Sequence, residues 1–511
     1  MTFESILGPL PIVDAPAPRE PDDDAFHDLN LDRVLAAVLE GRKEYDLAPL
    51  FRTPLATAAA VRFRHAVLRD LERPAVREAV ERFANGARTV RTQLAQADKL
   101  SNELQRASWI VDAVKSYLDA VHALRRDLAE LEVSSEGFRG LRDYLGTYEG
   151  SEAFRTLERE TETLRQELGR LTYTLEIKGK RVTVRPYDGE ADYSLEIDAT
   201  FQRFQRAATS DHLARLRDPA EMNGVEESIL ELIAGLFRPL FESLRTFPSR
   251  HRDFLETAIR RFDREVQFYL AYLELMTRLR AAGLEFCYPE IVNPSKEIRA
   301  RETFDLALAI QLVRAGTAVV RNDLRLTDPE RIFVVTGPNQ GGKTTFARTV
   351  GQLHCLARLG LPVPGAEARL YLCDRVLTHF EREERIETLR GKLQDELVRL
   401  RTVLRSAGRD SLVIVNESFA TTTVNDARFL GTEILNRITA QDAICVYVTF
   451  LDELSRLGPS TASWVSEVRP EDPTIRTFKV VPRPADGRAF ALAIAEKYGL
   501  TYEALRRRIG S

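Results

Sequence analysis

A lysine and two threonines, Lys343-Thr344-Thr345, stand directly behind a glycine-rich hexapeptide, Gly337-Pro338-Asn339-Gln340-Gly341-Gly342. Those residue types at that spacing complete the pattern G-x-x-x-x-G-K-[ST]. Glycines let successive backbone N–H groups turn inward as a cradle for phosphate oxygens, and a helix N-terminus behind them adds a favourable dipole. Lys343 then supplies the cation for β- and γ-phosphates, and the Thr344 hydroxyl a ligand for Mg²⁺. A second polar pair, Asn416-Glu417, closes the apolar run Leu412–Val415. A carboxylate there can position the attacking water of phosphoryl transfer, while Asn416 occupies the place where such enzymes usually keep a metal-binding Asp. The chemistry calls for ATP and Mg²⁺.

Positioning these groups takes a strand, a tight loop and a helix. Ile332–Thr336 is apolar with β-branched residues, and a helix-compatible segment starts at Lys343. Ser411–Asp426 opens as a buried strand that turns polar at its C-terminal end, and Ala443–Phe450 reads as a third strand. In open α/β sheets the ligand sits at that end of the strands. Beyond the loop, strands and helices alternate, as a mostly parallel α/β sheet requires.

The rest of the chain divides by texture. Residues 1–25 are rich in Pro and Asp without a period, a leader that is disordered or ordered on contact. Residues 26–283 carry helical periods, with Leu29, Leu31, Val34, Leu35 and Val38 on one face. From Ala75 to Gly169 the pattern is helical and heavily charged, which suits helices that project or lie antiparallel. A small β insertion is expected over about 171–197: a hairpin around Lys178-Gly179-Lys180 and a short strand at Tyr193–Ile197. The segment 252–283 reads as the longest and most amphipathic helix, with Gly283 as its cap. The domain boundary is placed near Gly283, and 284–511 forms the nucleotide domain.

Composition limits the function classes. The chain has 511 residues, 44% of them hydrophobic and 29% charged, which is the make-up of a globular protein of several domains. A net charge of −4 offers no global nucleic-acid signature, so a DNA contact needs a local basic surface. Cys287, Cys355, Cys373 and Cys445 lack C-x-x-C spacing, which argues against a zinc site or disulfide framework and fits a reducing cytosol. No secretory leader and no apolar run of about 18 residues is present, so a cytoplasmic protein without membrane contact is expected.

TGPNQGGKTT, NESFATTTVND and VTFLDEL together resemble the ATPase domain of the MutS family of DNA mismatch-repair proteins. That family typically reads TGPNMGGKST, DE-x-G-R-G-T-S-T-x-D-G and ATH-x-x-EL. The tail GRAFALAIAEKYGLTYEALRRR resembles the family's dimerising helix–turn–helix, and 26–283 its helical core and lever arms. The resemblance implies an ABC-like α/β ATPase that pairs as a homodimer and encircles duplex or structured DNA with its arms. Carried over, Glu417 positions water, Asp426 belongs to the loop facing the partner subunit, and Glu396 matches the Glu of S-T-F-x-x-E. Gly391 stands where that motif has its Ser, Phe450 where the family has a His, Asn416 where it has an Asp, and Val319 where an aromatic stacks on adenine. The mismatch-reading domain has no room before Phe26, so a divergent relative without mismatch reading is expected. Arg125-Arg126 and Arg260-Arg261 are the basic clusters on the arms. The competing reading is a nucleotide-gated scaffold that holds a protein partner and never touches DNA.

Overall fold

The computed structural model describes residues 3–8, 23–179, 181–189, 222–381, 392–419, 422–469 and 475–485. The chain falls into two compact units. One comprises Met1–Phe3, Arg73–Ser134 and Phe138–Asp263; the other comprises Glu4–Glu72, Ser135–Gly137 and Arg264–Ser511. This corrects the expected boundary near Gly283. The helices before Glu72 belong with the nucleotide unit, because their apolar faces find partners there. Gln352 Nε2 donates to the Leu29 carbonyl at 2.9 Å, Arg64 Nη1 to the Leu359 carbonyl at 2.7 Å, and Thr378 Oγ1 to Asp28 Oδ2 at 2.7 Å. Part of the leader is anchored too. Ile6 is buried, and its N–H donates to the Glu265 carboxylate at 3.1 Å.

The described residues of the first unit are helical apart from one hairpin. Helices Pro74–Ala97, Glu103–Glu130, Glu136–Glu149 and Glu152–Gly169 follow one another, and their ends are chemically marked. Pro74 opens the first, where a missing N–H costs nothing. Asn102 accepts from the N–H groups of Leu104 and Gln105, and Ser151 from that of Phe154. Gly86 lets the first two helices close up, since a Cβ there would lie 2.8 Å from Ala120 Cβ. Strands β1 (Tyr173–Lys178) and β2 (Arg181–Pro186) pair antiparallel across the Lys178-Gly179 turn. The strand expected at Tyr193–Ile197 lies outside the described residues. Helices Gly224–Leu236 and Arg238–Arg250 complete the unit, with the first turns of Thr257–Ala281. Among the described residues the longest helix is Glu103–Glu130 with 28 residues, against 25 for Thr257–Ala281, which the sequence suggested would be longest. Gly283, at φ 79°, follows the latter in the left-handed region that ends helices. No described helix is long and apolar enough to cross a membrane.

The described residues of the second unit form twelve strands: β3 (Phe286–Cys287), β4 (Glu290–Ile291), β5 (Ile298–Thr303), β6 (Asn322–Leu326), β7 (Ile332–Thr336) and β8 (Val363–Pro364). Then come β9 (Glu367–Leu370), β10 (Arg375–Phe380), β11 (Ser411–Asn416), β12 (Ile444–Val448), β13 (Thr461–Val468) and β14 (Arg476–Pro482). The central sheet has the order β10-β11-β12-β7-β13-β14, all parallel except β14, which runs antiparallel to β13. Smaller sheets β4-β9-β5-β6 and β3-β8 complete the unit. Alternate residues of β11 serve opposite faces. Val413 and Val415 pack on Leu400 and Val403 of helix Lys392–Ser406 and on Leu435 and Ile438 of helix Val424–Ala440. Ile414 meets helix Lys343–Arg358 at Gly351, where a Cβ would lie 2.7 Å from Ile414 Cδ1. Burial on both faces explains why these strands read as unbroken apolar runs. The chain leaves β7 for the β10 edge, returns through β11 and β12, and then crosses to β13. Ligands of open α/β sheets lie at such a reversal, outside the strands' carboxyl ends.

Candidate nucleotide site

The loop between β7 and helix Lys343–Arg358 uses three left-handed residues: Gly337 at φ 118°, Gln340 at 59° and Gly342 at 98°. Gly342 caps the helix with no side chain of its own, so the first-turn N–H groups stay open to a partner. The loop is also braced from outside. Ser466 of β13 is fully buried, and its Oγ donates to the Gly341 carbonyl at 2.6 Å. A Cβ on Gly341 would lie 2.2 Å from that Oγ and 2.9 Å from the Pro338 carbonyl, so only glycine fits. Across Gly342, the Phe478 carbonyl of β14 would lie 3.3 Å from an added Cβ.

Lys343 extends back along this loop. Its Nζ donates to the Gly337 carbonyl (3.0 Å), the Pro338 carbonyl (3.2 Å) and Asn339 Oδ1 (3.2 Å), and lies 3.3 Å from Glu417 Oε1. The side chain is only 3% exposed, so its charge sits in a low-dielectric pocket facing the end of β11. Thr344 Oγ1 donates to Asn416 Oδ1 at 2.9 Å. Sequence spacing alone could not have joined those two residues; sheet order does, because β12 places β11 one strand from β7. Glu417 follows at φ 52°, its N–H donating to the Val448 carbonyl of β12 at 3.0 Å.

The remaining expected site residues are distributed differently. Glu396 is buried on helix Lys392–Ser406, with Oε1 accepting the Phe419 N–H at 2.8 Å and lying 3.6 Å from His379 Nε2. Burial pushes its carboxyl up, but the His379 ring, the Phe419 N–H and the Arg399 guanidinium outweigh it, and the net shift is downward. Asp426 is exposed and serves its own helix. Thr423 Oγ1 donates to Asp426 Oδ2 at 2.7 Å, and the Asp426 N–H donates back to Thr423 Oγ1 at 3.2 Å. Phe450 is half-exposed just past β12, and Val319 is half-buried. Thr345 accepts through its carbonyl from Thr349 Oγ1. Gly391 and the closing helix–turn–helix lie outside the described residues. Among the described residues, no group of three or more His, Cys, Asp or Glu could hold a metal.

Sequence reasoning missed Ser466, His379 and Phe419. Ser466 lies 125 residues from the glycine it braces and carries no motif. Its one indirect sign is the run of glycines itself, which demands a close neighbour.

Residues 333–507 match the family model for MutS domain V. Over that stretch the chain is similar to MutS-family proteins. It is 31% identical over 202 residues to a protein named endonuclease MutS2 from Gemmatimonas aurantiaca, covering 38% of this chain and 24% of that one. Against a DNA mismatch repair protein MutS from Methanothrix thermoacetophila it is 25% identical over 230 residues, covering 45% and 26%. Against the MutS of Thermosipho melanesiensis it is 30% identical over 288 residues, covering 55% and 34%. The chain thus spans 24% to 34% of the length of these relatives.

Proposed function

We propose that the chain binds ATP with Mg²⁺ through an ABC-like domain, hydrolyses it slowly, and works as a homodimer on DNA. The observation that carries the reading is the meeting of Lys343, Thr344, Asn416 and Glu417 at the carboxyl ends of β7 and β11. Bound ATP supplies the phosphoryl group, and Mg²⁺ the Lewis acid at its oxygens. Thr344 Oγ1 and Asn416 Oδ1 fit that ion: both are oxygen donors, and Mg²⁺ takes few protein ligands beside phosphates and waters. The open N–H groups of the first turn of helix Lys343–Arg358, with Lys343 Nζ, bind and orient the phosphates. Glu417, whose Oε1 lies 3.3 Å from Lys343 Nζ, positions water and accepts its proton at the carboxylate. Asn416 brings an oxygen and no charge, so the metal shell loses one fixed negative partner and turnover is slow.

Pairing follows from the resemblance, in which each site is shared by two subunits; ATP then tightens the dimer by mass action. DNA binding by the helical region is electrostatic and falls steeply with salt. One observation favours the competing scaffold reading. Of the basic clusters on that region, Arg125 pairs with Glu149 at 3.0 Å and Arg126 with Asp127 at 3.5 Å, so part of their charge is already answered within the unit. Filter binding of duplex across a salt series separates the two. Salt-sensitive retention supports the DNA reading, and no retention at low salt supports the scaffold. Glu417→Gln is expected to keep ATP bound and to lower turnover to a small residual rate; loss of binding instead would make Glu417 structural.

A further inference from the structure

Two L-residues in three adopt left-handed backbone just past β11: Glu417 at φ 52° and Phe419 at φ 64°. Neither is glycine, and such a conformation persists in side-chain-bearing residues only when the surroundings over-determine it. The surroundings here can be named. The Glu417 N–H is tied to β12 through the Val448 carbonyl. The Phe419 ring is fully buried among Leu400, Leu404 and Val415. The Phe419 N–H, which the strand ladder no longer serves, is taken by Glu396 Oε1 at 2.8 Å.

Glu396 is itself unusual. It is a carboxylate 7% exposed on the inner face of a helix, where a charge is costly unless it is paired. His379 of β10, 2% exposed, faces it at 3.6 Å, and Arg399 one turn along its helix adds favourable charge. A buried carboxylate compensated from two elements and spent on one backbone N–H is a device for holding that N–H. The segment it holds carries Glu417, whose Oε1 lies 3.3 Å from Lys343 Nζ.

We propose that Glu396 is a positioning residue for Glu417: by accepting the Phe419 N–H it fixes the turn that aims the Glu417 carboxylate at the phosphate pocket. It touches neither phosphate nor water and acts through the backbone. His379 and Arg399 keep it ionised and in place. The inference rests on the proposed role of Glu417, and the test separates the two.

The experiment compares Glu396→Ala, Glu396→Gln and Glu417→Gln in the full chain. Amide hydrogen exchange, without nucleotide, reads the turn directly. Protection of the Phe419 amide is expected to fall at least tenfold in Glu396→Ala and to survive in Glu396→Gln, which retains an acceptor oxygen, while β7 amides keep theirs. In turnover, Glu396→Ala is expected to lower kcat more than tenfold with the ATP dissociation constant within threefold of wild type; Glu396→Gln stays within threefold in kcat. Added to Glu417→Gln, the alanine change produces no further loss, since the two act as one unit. Wild-type turnover or unchanged Phe419 exchange in Glu396→Ala overturns the inference, as does an equal loss in the glutamine variant or a loss that persists beside Glu417→Gln. If Glu417→Gln alone turns over normally, the role of Glu417 fails instead, and the exchange result still decides what Glu396 holds. Should Glu396→Ala not fold, Glu396→Asp, one methylene shorter, makes the same test: lost Phe419 protection and lowered kcat uphold the inference, and wild-type values overturn it.

Discussion

The two ends of one parallel sheet solve the problem of buried charge in opposite ways. At the N-terminal ends of β7, β11 and β12, Asp442 sits at φ 56° and is saturated with cations. Lys296 Nζ reaches Asp442 Oδ2 at 2.9 Å, Arg331 Nε reaches Oδ1 at 2.7 Å, and Arg409 Nε lies 3.3 Å from Oδ2. Lys296 also donates to the carbonyls of Asp442 and Arg409, so it joins two turns beneath the sheet. Burial pushes the Asp442 carboxyl up, but Lys296 and Arg331 overcome it and hold it down at about 2. At the C-terminal ends, Lys343 is as deeply buried as Lys296, yet it leans on neutral carbonyls and one half-buried carboxylate. Thr344 meets an amide, not an acid. A closed charge cluster fastens the fold; an incompletely answered cation keeps affinity for an incoming anion. On the proposed reading, that contrast separates a binding pocket from a brace where both are polar.

The comparison breaks most visibly at Lys343. Lys343→Ala is expected to slow phosphate release from ATP by about two to three powers of ten, the scale of a lost transition-state donor, ~3–4 kcal/mol. Turnover at the wild-type rate would remove the nucleotide assignment. Next in size is Gly341→Ala, whose new methyl meets Ser466 Oγ at 2.2 Å. Overpacking of this kind costs ~1–3 kcal/mol. It should appear as a tenfold or greater rise in the ATP dissociation constant, partly recovered in Gly341→Ala/Ser466→Ala. No recovery would mean that the Pro338 carbonyl, not β13, sets the limit.

Asp442→Asn tests the other end of the sheet. Leaving Lys296 unanswered should destabilise by about 2 kcal/mol, less than for a fully buried pair because the Asp442 side chain is 38% exposed. Urea unfolding reads the loss, and the ATP dissociation constant should not move. The pH dependence has a definite sign. A carboxyl depressed in the folded state stabilises fully above its unfolded value of about 4 and loses that contribution as pH falls. For Asp442 the loss continues down through about 2, so the gap between wild type and variant closes on the acid side. A gap constant from pH 7 to pH 2 would refute the charge argument. The smallest effect is expected from Asn416→Asp, which restores a carboxylate beside Thr344. A few-fold rise in kcat or a lower Mg²⁺ requirement, ~1 kcal/mol, would show that the neutral amide limits the site. A slower variant would show that the amide is matched to it.

Much of the site was legible because its chemistry is written in contiguous residues. The hexapeptide Gly337–Gly342 encodes its own turn: left-handed positions fall on glycine at Gly337 and Gly342, and Lys343 follows at a fixed distance along the chain. The runs at β7 and β11 encode buried strands for the same local reason, and Lys178-Gly179 its hairpin. Glu396 could be matched to a family motif, but its work could not be read, because its partner Phe419 lies 23 residues on and is reached only after helix Lys392–Ser406 packs on β11. The same holds for Lys296 and Asp442, separated by 146 residues, and for Ser466 and Gly341, separated by 125. The assignment of Glu4–Glu72 to the nucleotide unit was equally hidden. A helical period reports that a face is apolar; it carries no address for the surface that will cover it. Where glycines set the turn, as at Gly337 and Gly342, sequence determines the backbone locally, whereas at Glu417 and Phe419 the surroundings impose it. Which distant group answers a buried charge or an unpaired N–H depends on strand order and packing, and only the tertiary structure decides that.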